Sequence, residues 1–237
     1  WYNVKVPVFE WDVPSGVDTV ALLYGRRQNS TPSVLYSPVI DTKTLESLDD
    51  GVWYFHARFR TSSGYGPTTH FKFQIDTALP DFEIEQEPRE DKTEPTVTFN
   101  LSSSDELSGM DKYEFVINGD EPIELDSGED EFTTPILAPG EYELVAYAVD
   151  NAGNKREAKK EFSIEALEAP IITEYTEEVG KRETIKISGE TKYKNGTIII
   201  ETEGEEFTTE ADSLGNFTAR IDGLEEGKYN FTAKVVD

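Results

Sequence analysis

The sequence predicts an all-β protein, built from three small β-sandwiches in series that form an elongated rod. The main observation is a segment that occurs three times. Each copy places Leu, Gly, an aromatic residue, an apolar residue, Ala and an apolar residue at offsets 0, 3, 5, 7, 9 and 11. The copies start at Leu48, Leu137 and Leu224, so they are 89 and 87 residues apart. A repeat of that period corresponds to one small domain.

Each copy of the repeated segment reads as a strand. Its glycine closes a tight turn, and the odd offsets then point to one face of a sheet and become buried. The first two copies are followed by Gly-containing turns, Thr61–Tyr65 and Asp150–Asn154, and by another alternating strand. We therefore predict that each copy is the penultimate strand of a sandwich and that a hairpin joins it to the last strand.

The spacing of the copies predicts the domain boundaries. The three sandwiches are expected at residues 1–77, 78–167 and 168–237. The first is expected to lack most of its opening strand, and the third its last strand, so the chain is expected to be a fragment of a longer polypeptide. The linkers at Ile75–Asp81 and Ile164–Pro170 are short and each meets a proline, which limits bending and favours a rod.

Motifs in all three predicted domains resemble those of known modules. The first domain, with Trp11-Asp12-Val13-Pro14, LDDGVWYFHARF and SGYGP, resembles a fibronectin type III-like domain. The second, with SSDELSGMDKYEFVINGDE and LAPGEYELVAYAVDNAGN, resembles bacterial Ig-like domains, and the third, with Gly196-Thr197-Ile198 and Gly215-Asn216-Phe217-Thr218, resembles them too. Their order resembles the ectodomain of large bacterial surface proteins. The resemblance implies an extracellular, cell-surface location, with anchoring through a part not present here.

The amino-acid composition and the motifs argue against several classes of function. The net charge of −26 makes nucleic acid and anionic lipid improbable partners, and there is no apolar run of membrane-spanning length. The 237 residues include no cysteine, which rules out disulfides and thiolate chemistry. The sequence has no Gly-rich phosphate loop, HExxH or GxSxG motif, so we do not expect an enzyme.

Acidic residues cluster near the predicted junction of the first two domains. In an Ig-type sandwich the loops at Ser104–Asp111 and Asp150–Asn154 would lie at the end nearest the preceding domain. Ca²⁺ is the natural cation for converging carboxylates and would stiffen the joint. The alternative is that Asp105 and Asp150 cap tight turns while the remaining acids are solvated. The candidate calcium ligands are Asp76, Asp81, Asp105, Glu106, Asp111 and Asp150.

The first domain carries a basic and aromatic row on two neighbouring strands. Strand alternation predicts that these side chains all point to solvent on one sheet face. They could contact a cell-surface protein or a glycan, or they could form an ordinary solvated face. The candidate contact residues are Tyr54, His56, Arg58, Arg60, His70 and Lys72.

Taken together, the sequence predicts a non-enzymatic extracellular spacer or stalk within a larger, surface-anchored bacterial protein. One version of this hypothesis adds an adhesive role. Two alternatives remain. One is a module that binds a glycan or a protein. The other is an accessory, non-catalytic region of a secreted polysaccharide-active enzyme. These module types serve all three purposes, so the resemblance alone does not choose between them.

Overall fold

The computed structural model describes residues 1–177 and 183–236, and every regular element in those residues is a β-strand. The all-β class predicted from the sequence is confirmed. None of the described residues forms a helix of the length and apolarity needed to cross a membrane.

The first sandwich packs a two-stranded sheet, β1–β4, against a larger sheet in the order β3-β2-β5, with β6 and β7 both paired to β5. Its core is aromatic, and Phe9 stacks on Phe55 with ring centroids 4.3 Å apart. Tyr2 adds a parallel bridge to Ile75 beside the larger sheet. The strands are β1 Val8–Glu10, β2 Thr19–Gly25, β3 Val34–Tyr36, β4 Thr42–Thr44, β5 Gly51–Thr61, β6 Gly64–Tyr65 and β7 Thr69–Ile75.

The second sandwich has sheets in the order β12-β9-β8 and β11-β10-β13-β14. Phe115 of one sheet stacks on Phe132 of the other at 3.8 Å, and both rings are buried. Burial alternates along β10 and β13, as a strand with one buried face requires. The strands are β8 Asp81–Gln86, β9 Thr98–Ser104, β10 Met110–Ile117, β11 Ile123–Asp126, β12 Glu131–Thr133, β13 Gly140–Asp150 and β14 Lys155–Ile164.

The third sandwich has sheets in the order β15-β16-β19 and β18-β17-β20. Its core is rich in isoleucine, and Ile187, Ile198 and Ile200 are completely buried. The strands are β15 Ile171–Tyr175, β16 Ile185–Glu190, β17 Thr197–Thr202, β18 Glu205–Glu210, β19 Asn216–Ile221 and β20 Thr232–Val236. Asp237, where the sequence predicts that the third domain stops, lies outside the described residues.

The chain divides into two compact units. One comprises Trp1–Glu90 with Pro95–Ser163 and so contains the first two sandwiches. The other comprises Asp91–Glu94 with Ile164–Asp237 and contains the third. The boundaries at residues 77 and 167 stay predictions.

The three copies of the repeated segment lie in three different sheets, as β5, β13 and β20 with the turns before them. In each copy the aromatic side chain at offset 5 turns back and donates a hydrogen bond to the backbone carbonyl at offset 1. Such a bond closes the corner between two strands and is known in Ig-type sandwiches as a tyrosine corner. The bonds are Trp53 Nε1 to Asp49 O (2.8 Å), Tyr142 Oη to Ala138 O (2.7 Å) and Tyr229 Oη to Glu225 O (2.9 Å).

The glycine at offset 3 lies against that aromatic ring in the second and third copies. A Cβ on Gly140 would lie 3.7 Å from the Tyr142 ring, and one on Gly227 would lie 3.4 Å from the Tyr229 ring. The repeated Leu–Gly–aromatic spacing therefore specifies a closed corner as well as a strand. In the third copy the strand itself begins only at Thr232.

Candidate functional site

Three carboxylates meet where the first sandwich joins the second. One ligand oxygen from each of Asp76, Asp105 and Asp150 lies within 4.8 Å of the other two. Asp76 directly follows β7, Asp105 directly follows β9, and Asp150 is the last residue of β13. The ends of three strands from two sandwiches thus place the acids together. We call these three residues the carboxylate trio.

Asp76 connects the two sandwiches. Its side chain is completely buried. Oδ1 accepts the N–H of Ala78 in the linker at 3.0 Å, and Oδ2 accepts the N–H of Ser108 in the second sandwich at 3.0 Å. A hydrogen bond to a charged acceptor is stronger than a neutral one, so Asp76 ties the linker to the neighbouring domain.

Asp105 organises the loop between β9 and β10. Its Oδ1 accepts three backbone N–H groups, from Leu107 at 3.1 Å and from Ser108 and Gly109 at 2.8 Å each. No hydrogen bond from the described residues reaches its Oδ2. One oxygen of Asp105 thus closes the turn and the other is uncommitted.

Asp150 organises the hairpin between β13 and β14 and is 1% exposed. Its Oδ1 accepts the N–H groups of Ala152 and Asn154, at 2.8 Å each, and its Oδ2 accepts the Asn154 amide at 2.7 Å. Asp105 and Asp150 therefore both cap turns, as the alternative reading of the sequence expects. The trio still brings three carboxylates together, so capping and convergence coexist.

The other three candidate ligands are not in the trio. Asp81, Glu106 and Asp111 are exposed, and among the described residues only Asp76, Asp105 and Asp150 form a metal-sized group. Asp81 begins β8 and pairs with Ser104 in the ladder, which fixes its position at a strand end. Proximity in sequence to the loops was therefore insufficient to place these acids in the cluster.

Three further side chains support the joint and were not singled out from the sequence. The Asn154 amide donates to the backbone carbonyl of Asp76 at 3.0 Å, and Arg156 Nε donates to the carbonyl of Pro80 at 3.1 Å. Asp50 at the corner before β5 accepts both the N–H and the hydroxyl of Thr77. The second asparagine of the DNAGN turn was the one sequence signal that could have been used, because it recurs in the DSLGN turn at Asp212–Asn216.

The trio has the chemistry of a hard-cation site. Carboxylates this close repel one another, and a bound cation would offset that repulsion. Ca²⁺ binds oxygen ligands and takes about six to eight of them. Three carboxylates with one uncommitted oxygen on Asp105 supply part of such a shell.

The second candidate region is the outer face of β5 and β7 in the first sandwich. Arg60, His70 and Lys72 are exposed, and Tyr54 and Arg58 are half-buried. The prediction that His56 points to solvent is wrong, because this side chain is completely buried. It lies on the outer side of the sheet as alternation requires, but the connection between β2 and β3 covers it.

Both ring nitrogens of His56 are hydrogen-bonded. Nε2 lies 3.1 Å from the carbonyl oxygen of Arg27, which can only accept, so Nε2 carries the proton and donates. Nδ1 lies 2.7 Å from Nδ1 of His70, the residue directly opposite on β7, and accepts a hydrogen bond from its N–H. Burial lowers the pKa of His56 most, the bond to the Arg27 carbonyl acts in the opposite direction, and the charge of His70 lowers the pKa further.

Tyr65 belongs to this face although the sequence did not single it out. It pairs with Arg60 at the end of β5. The Arg58 guanidinium lies 4.0 Å from the centre of the Tyr65 ring, and that of Arg60 lies 5.4 Å away. These distances are within the range of cation–π attraction.

No family model matches the chain, and no curated protein matches it. Solved structures do. The fibronectin(III)-like modules of Clostridium thermocellum CbhA match with a TM-score of 0.48 and 15% identity, over 70% of this chain and 88% of that one. A 1.5-MDa bacterial ice-binding adhesin matches with a TM-score of 0.31 and 15% identity, over 94% of this chain and 86% of that one.

A Ca²⁺-stabilised adhesin of an Antarctic bacterium that binds ice also matches, with a TM-score of 0.32 and 14% identity. That match covers 93% of this chain and 64% of the adhesin chain. The similar solved structures thus include fibronectin III-like modules and adhesin domains, the module types that the sequence resembles.

Proposed function

We propose that this chain is a non-enzymatic spacer in a larger bacterial protein that is anchored at the cell surface. The observation that carries the proposal is the joint between the first two sandwiches. A spacer has to hold successive domains in a fixed orientation, and this joint is built to do so. The surface setting rests on the resemblance of the three modules to those of bacterial surface proteins.

The joint is fixed by buried polar contacts. The Asp76 side chain accepts a hydrogen bond from an N–H of the linker and another from an N–H of the second sandwich. The Asn154 amide donates a hydrogen bond to the backbone carbonyl of Asp76. Arg156 forms a further hydrogen bond to the linker, at the carbonyl of Pro80. Each bond that involves a charged group contributes about 1.5–3 kcal/mol, and breaking one would leave a buried group unsatisfied. Bending at the linker would break several of these bonds together.

The fixed joint can be tested by measuring a distance between the sandwiches. The chain has no cysteine, so spin labels can be attached at Ser63→Cys and Glu121→Cys, both exposed. We expect a single narrow distance distribution by pulsed electron spin resonance. Asp76→Ala should broaden it, whereas the control Asp12→Ala, an exposed acid of the first sandwich, should not. A broad distribution in the unmodified joint would contradict the spacer proposal.

We further propose that the carboxylate trio binds Ca²⁺ and stiffens the joint. The convergence of Asp76, Asp105 and Asp150, two of them buried, favours this second role. The trio would supply carboxylate oxygens to the ion, and the ion would remove their mutual repulsion. The spacer proposal does not depend on it, because the hydrogen bonds of the joint are present without an ion.

Calcium binding predicts a shift in thermal stability of the first unit. With Kd of about 10⁻⁴ M, about 10 mM Ca²⁺ adds about 2.7 kcal/mol relative to chelator, or about 5–10 °C in Tm. Asp150→Asn should abolish this difference. Asp212→Asn is the matched control, because Asp212 caps the same Asp-x-x-Gly-Asn turn in the third sandwich but is not in the trio. Equal melting temperatures with calcium and with chelator would refute the calcium site.

A further inference from the structure

The cations of the first sandwich differ from those of the rest of the chain. Among the described residues there are nine ion pairs, and all of them lie between residues 92 and 234. The seven Lys and Arg residues of residues 1–77 form none, although the chain has 48 acidic residues. The first sandwich holds an even share of the chain's 22 Lys and Arg residues, but it differs from the rest in that none of its own forms an ion pair within the described residues.

Three of these seven residues lie in a row with His70 on the outer face of β5 and β7. Arg60 and Arg58 are two residues apart on β5. His70 of β7 lies opposite the next position on that face, His56, and Lys72 lies opposite the one after it, Tyr54. Alternate residues of a strand are about 6.8 Å apart, so the row is about 20 Å long. We call Arg60, Arg58, His70 and Lys72 the basic track.

The guanidinium groups of the track are held in place but left without a hydrogen-bonding partner. No described residue forms a hydrogen bond or ion pair with the side chains of Arg58, Arg60 or Lys72. Asp18 is close in the ladder, with its N–H donating to the Arg60 carbonyl at 3.1 Å, and still forms no ion pair with Arg60. Tyr65, 44% exposed, packs against both arginines instead. Nε of Arg58 is buried, so the donors left for an external anion are the terminal N–H groups of Arg58 and the guanidinium of Arg60.

Arg26 shows the contrast on the same domain. Its guanidinium lies over the Trp53 ring at 3.8 Å and also donates to the carbonyls of Val52 and Asp50. The N–H donors of Arg26 are therefore already used in hydrogen bonds at the corner before β5. Arg58 and Arg60 have the aromatic contact without such acceptors, so a structural role uses the donors of Arg26 but not theirs.

We propose that the basic track binds a linear anionic polysaccharide, through carboxylate or sulfate groups spaced along an extended chain. The row of cations matches a polymer that lies along a strand. The exposed Tyr65 ring offers apolar surface to the sugar between the charged groups. This is an activity in addition to the spacer role and does not depend on it.

A glycan fits this face better than an acidic polypeptide does. Extended peptides bind sheets mainly by adding a strand to a free edge, where main-chain hydrogen bonds supply affinity. β5, which carries Arg58 and Arg60, is paired to β2 on one side and to β7 and β6 on the other, so it offers no free edge to an added strand. β7, which carries His70 and Lys72, is an edge strand, but a peptide added there would lie beside the sheet and away from the two arginines. Binding at the arginines has to come from side chains, which favours a ligand that presents repeated anions.

The proposal can be tested by affinity electrophoresis of the full chain in gels containing polygalacturonate, a linear carboxylated glycan. At low salt we expect polygalacturonate to retard the chain and neutral dextran to have no effect, with the retardation weakening as salt screens the charges. The Arg58→Gln/Arg60→Gln double variant should bind at least about 10-fold more weakly. Lys72→Gln, at an exposed position, should weaken binding by a smaller factor and covers the case in which the double variant misfolds.

Lys159→Gln is the matched control, because Lys159 is an exposed cation of the second sandwich that is already paired with Glu157. It should leave polygalacturonate binding unchanged. Absence of retardation at low salt, or equal retardation of the double variant, would overturn the proposal. Stronger retardation by poly-glutamate than by polygalacturonate would also overturn it and would indicate an acidic protein as the partner. None of these outcomes changes the distance measurement that tests the spacer role.

Discussion

Replacing Gly215 by alanine is expected to unfold the third sandwich under conditions where the unmodified chain is folded. Gly215 has φ +89°, and a Cβ at this position would lie 2.1 Å from the carbonyl oxygen of Thr191. The Thr191 N–H donates to the Gly215 carbonyl at 2.8 Å, so the two backbones cannot separate without losing that bond. Strain and overpacking together should cost about 3–5 kcal/mol. Hydrogen exchange of residues 183–236, followed by mass spectrometry, would measure the loss.

Gly153→Ala is the matched control. Gly153 occupies the same place in the DNAGN turn that Gly215 occupies in the DSLGN turn, and its φ is also +89°. A Cβ on Gly153 would find only the Asn3 amide, at 3.7 Å. The control should therefore cost about 1–2 kcal/mol, from the left-handed backbone alone. Equal losses in the two variants would show that the approach of Thr191 is not the cause.

The repeated segment shows how far the sequence predicts the fold. The Leu–Gly–aromatic spacing correctly placed β5, β13 and β20 in three separate sheets, because strand alternation and a turn glycine are local properties. The hydrogen bond from Tyr142 or Tyr229 to a carbonyl four residues earlier was not predicted. Alternation tells which face the ring lies on, but it does not tell that the ring turns back over the preceding glycine.

The junction site was predicted in part for a similar reason. Loop order places Asp76, Asp105 and Asp150 at one end of the second sandwich, and the structure brings them together. Asp81 and Glu106 belong to the same stretches of sequence but are exposed. The three clustered acids point inward because each accepts backbone N–H groups of its own turn or of a neighbouring one. That distinction depends on loop conformation, which residue type and spacing do not specify.

His56 illustrates the remaining limit. Alternation placed it correctly on the outer side of β5, and the error was to equate the outer side with solvent. The connection that follows β2 lies over this part of the sheet, and its Arg27 carbonyl bonds to the ring. Whether a loop covers a sheet face depends on contacts distant in sequence, here 29 residues apart.

His56→Ala is the second substitution with a large expected effect. It removes a completely buried ring and both of its hydrogen bonds, so the first sandwich should lose about 2–4 kcal/mol of stability. His70→Ala is the control on the opposite strand. His70 is exposed, so water can replace its bond to His56, and the loss should be about 1 kcal/mol or less. Urea unfolding followed by tryptophan fluorescence reports on the first sandwich alone, because Trp1, Trp11 and Trp53 all lie in it.

The lowered pKa of His56 adds a pH dependence with a definite sign. A proton on Nδ1 would face the His70 Nδ1–H across 2.7 Å, in a buried position where the charge of His70 also opposes protonation. The unfolded chain therefore takes up the proton more readily than the folded one. Stability from neutral His56 is complete above the unfolded pKa of about 6.5 and falls as the pH drops towards the lower folded pKa. His56→Gln, which cannot titrate, should lose less stability than the unmodified chain between pH 7.5 and 5. Identical pH profiles would mean that His56 protonates as readily in the folded chain as in the unfolded one, and that burial and His70 do not hold it neutral.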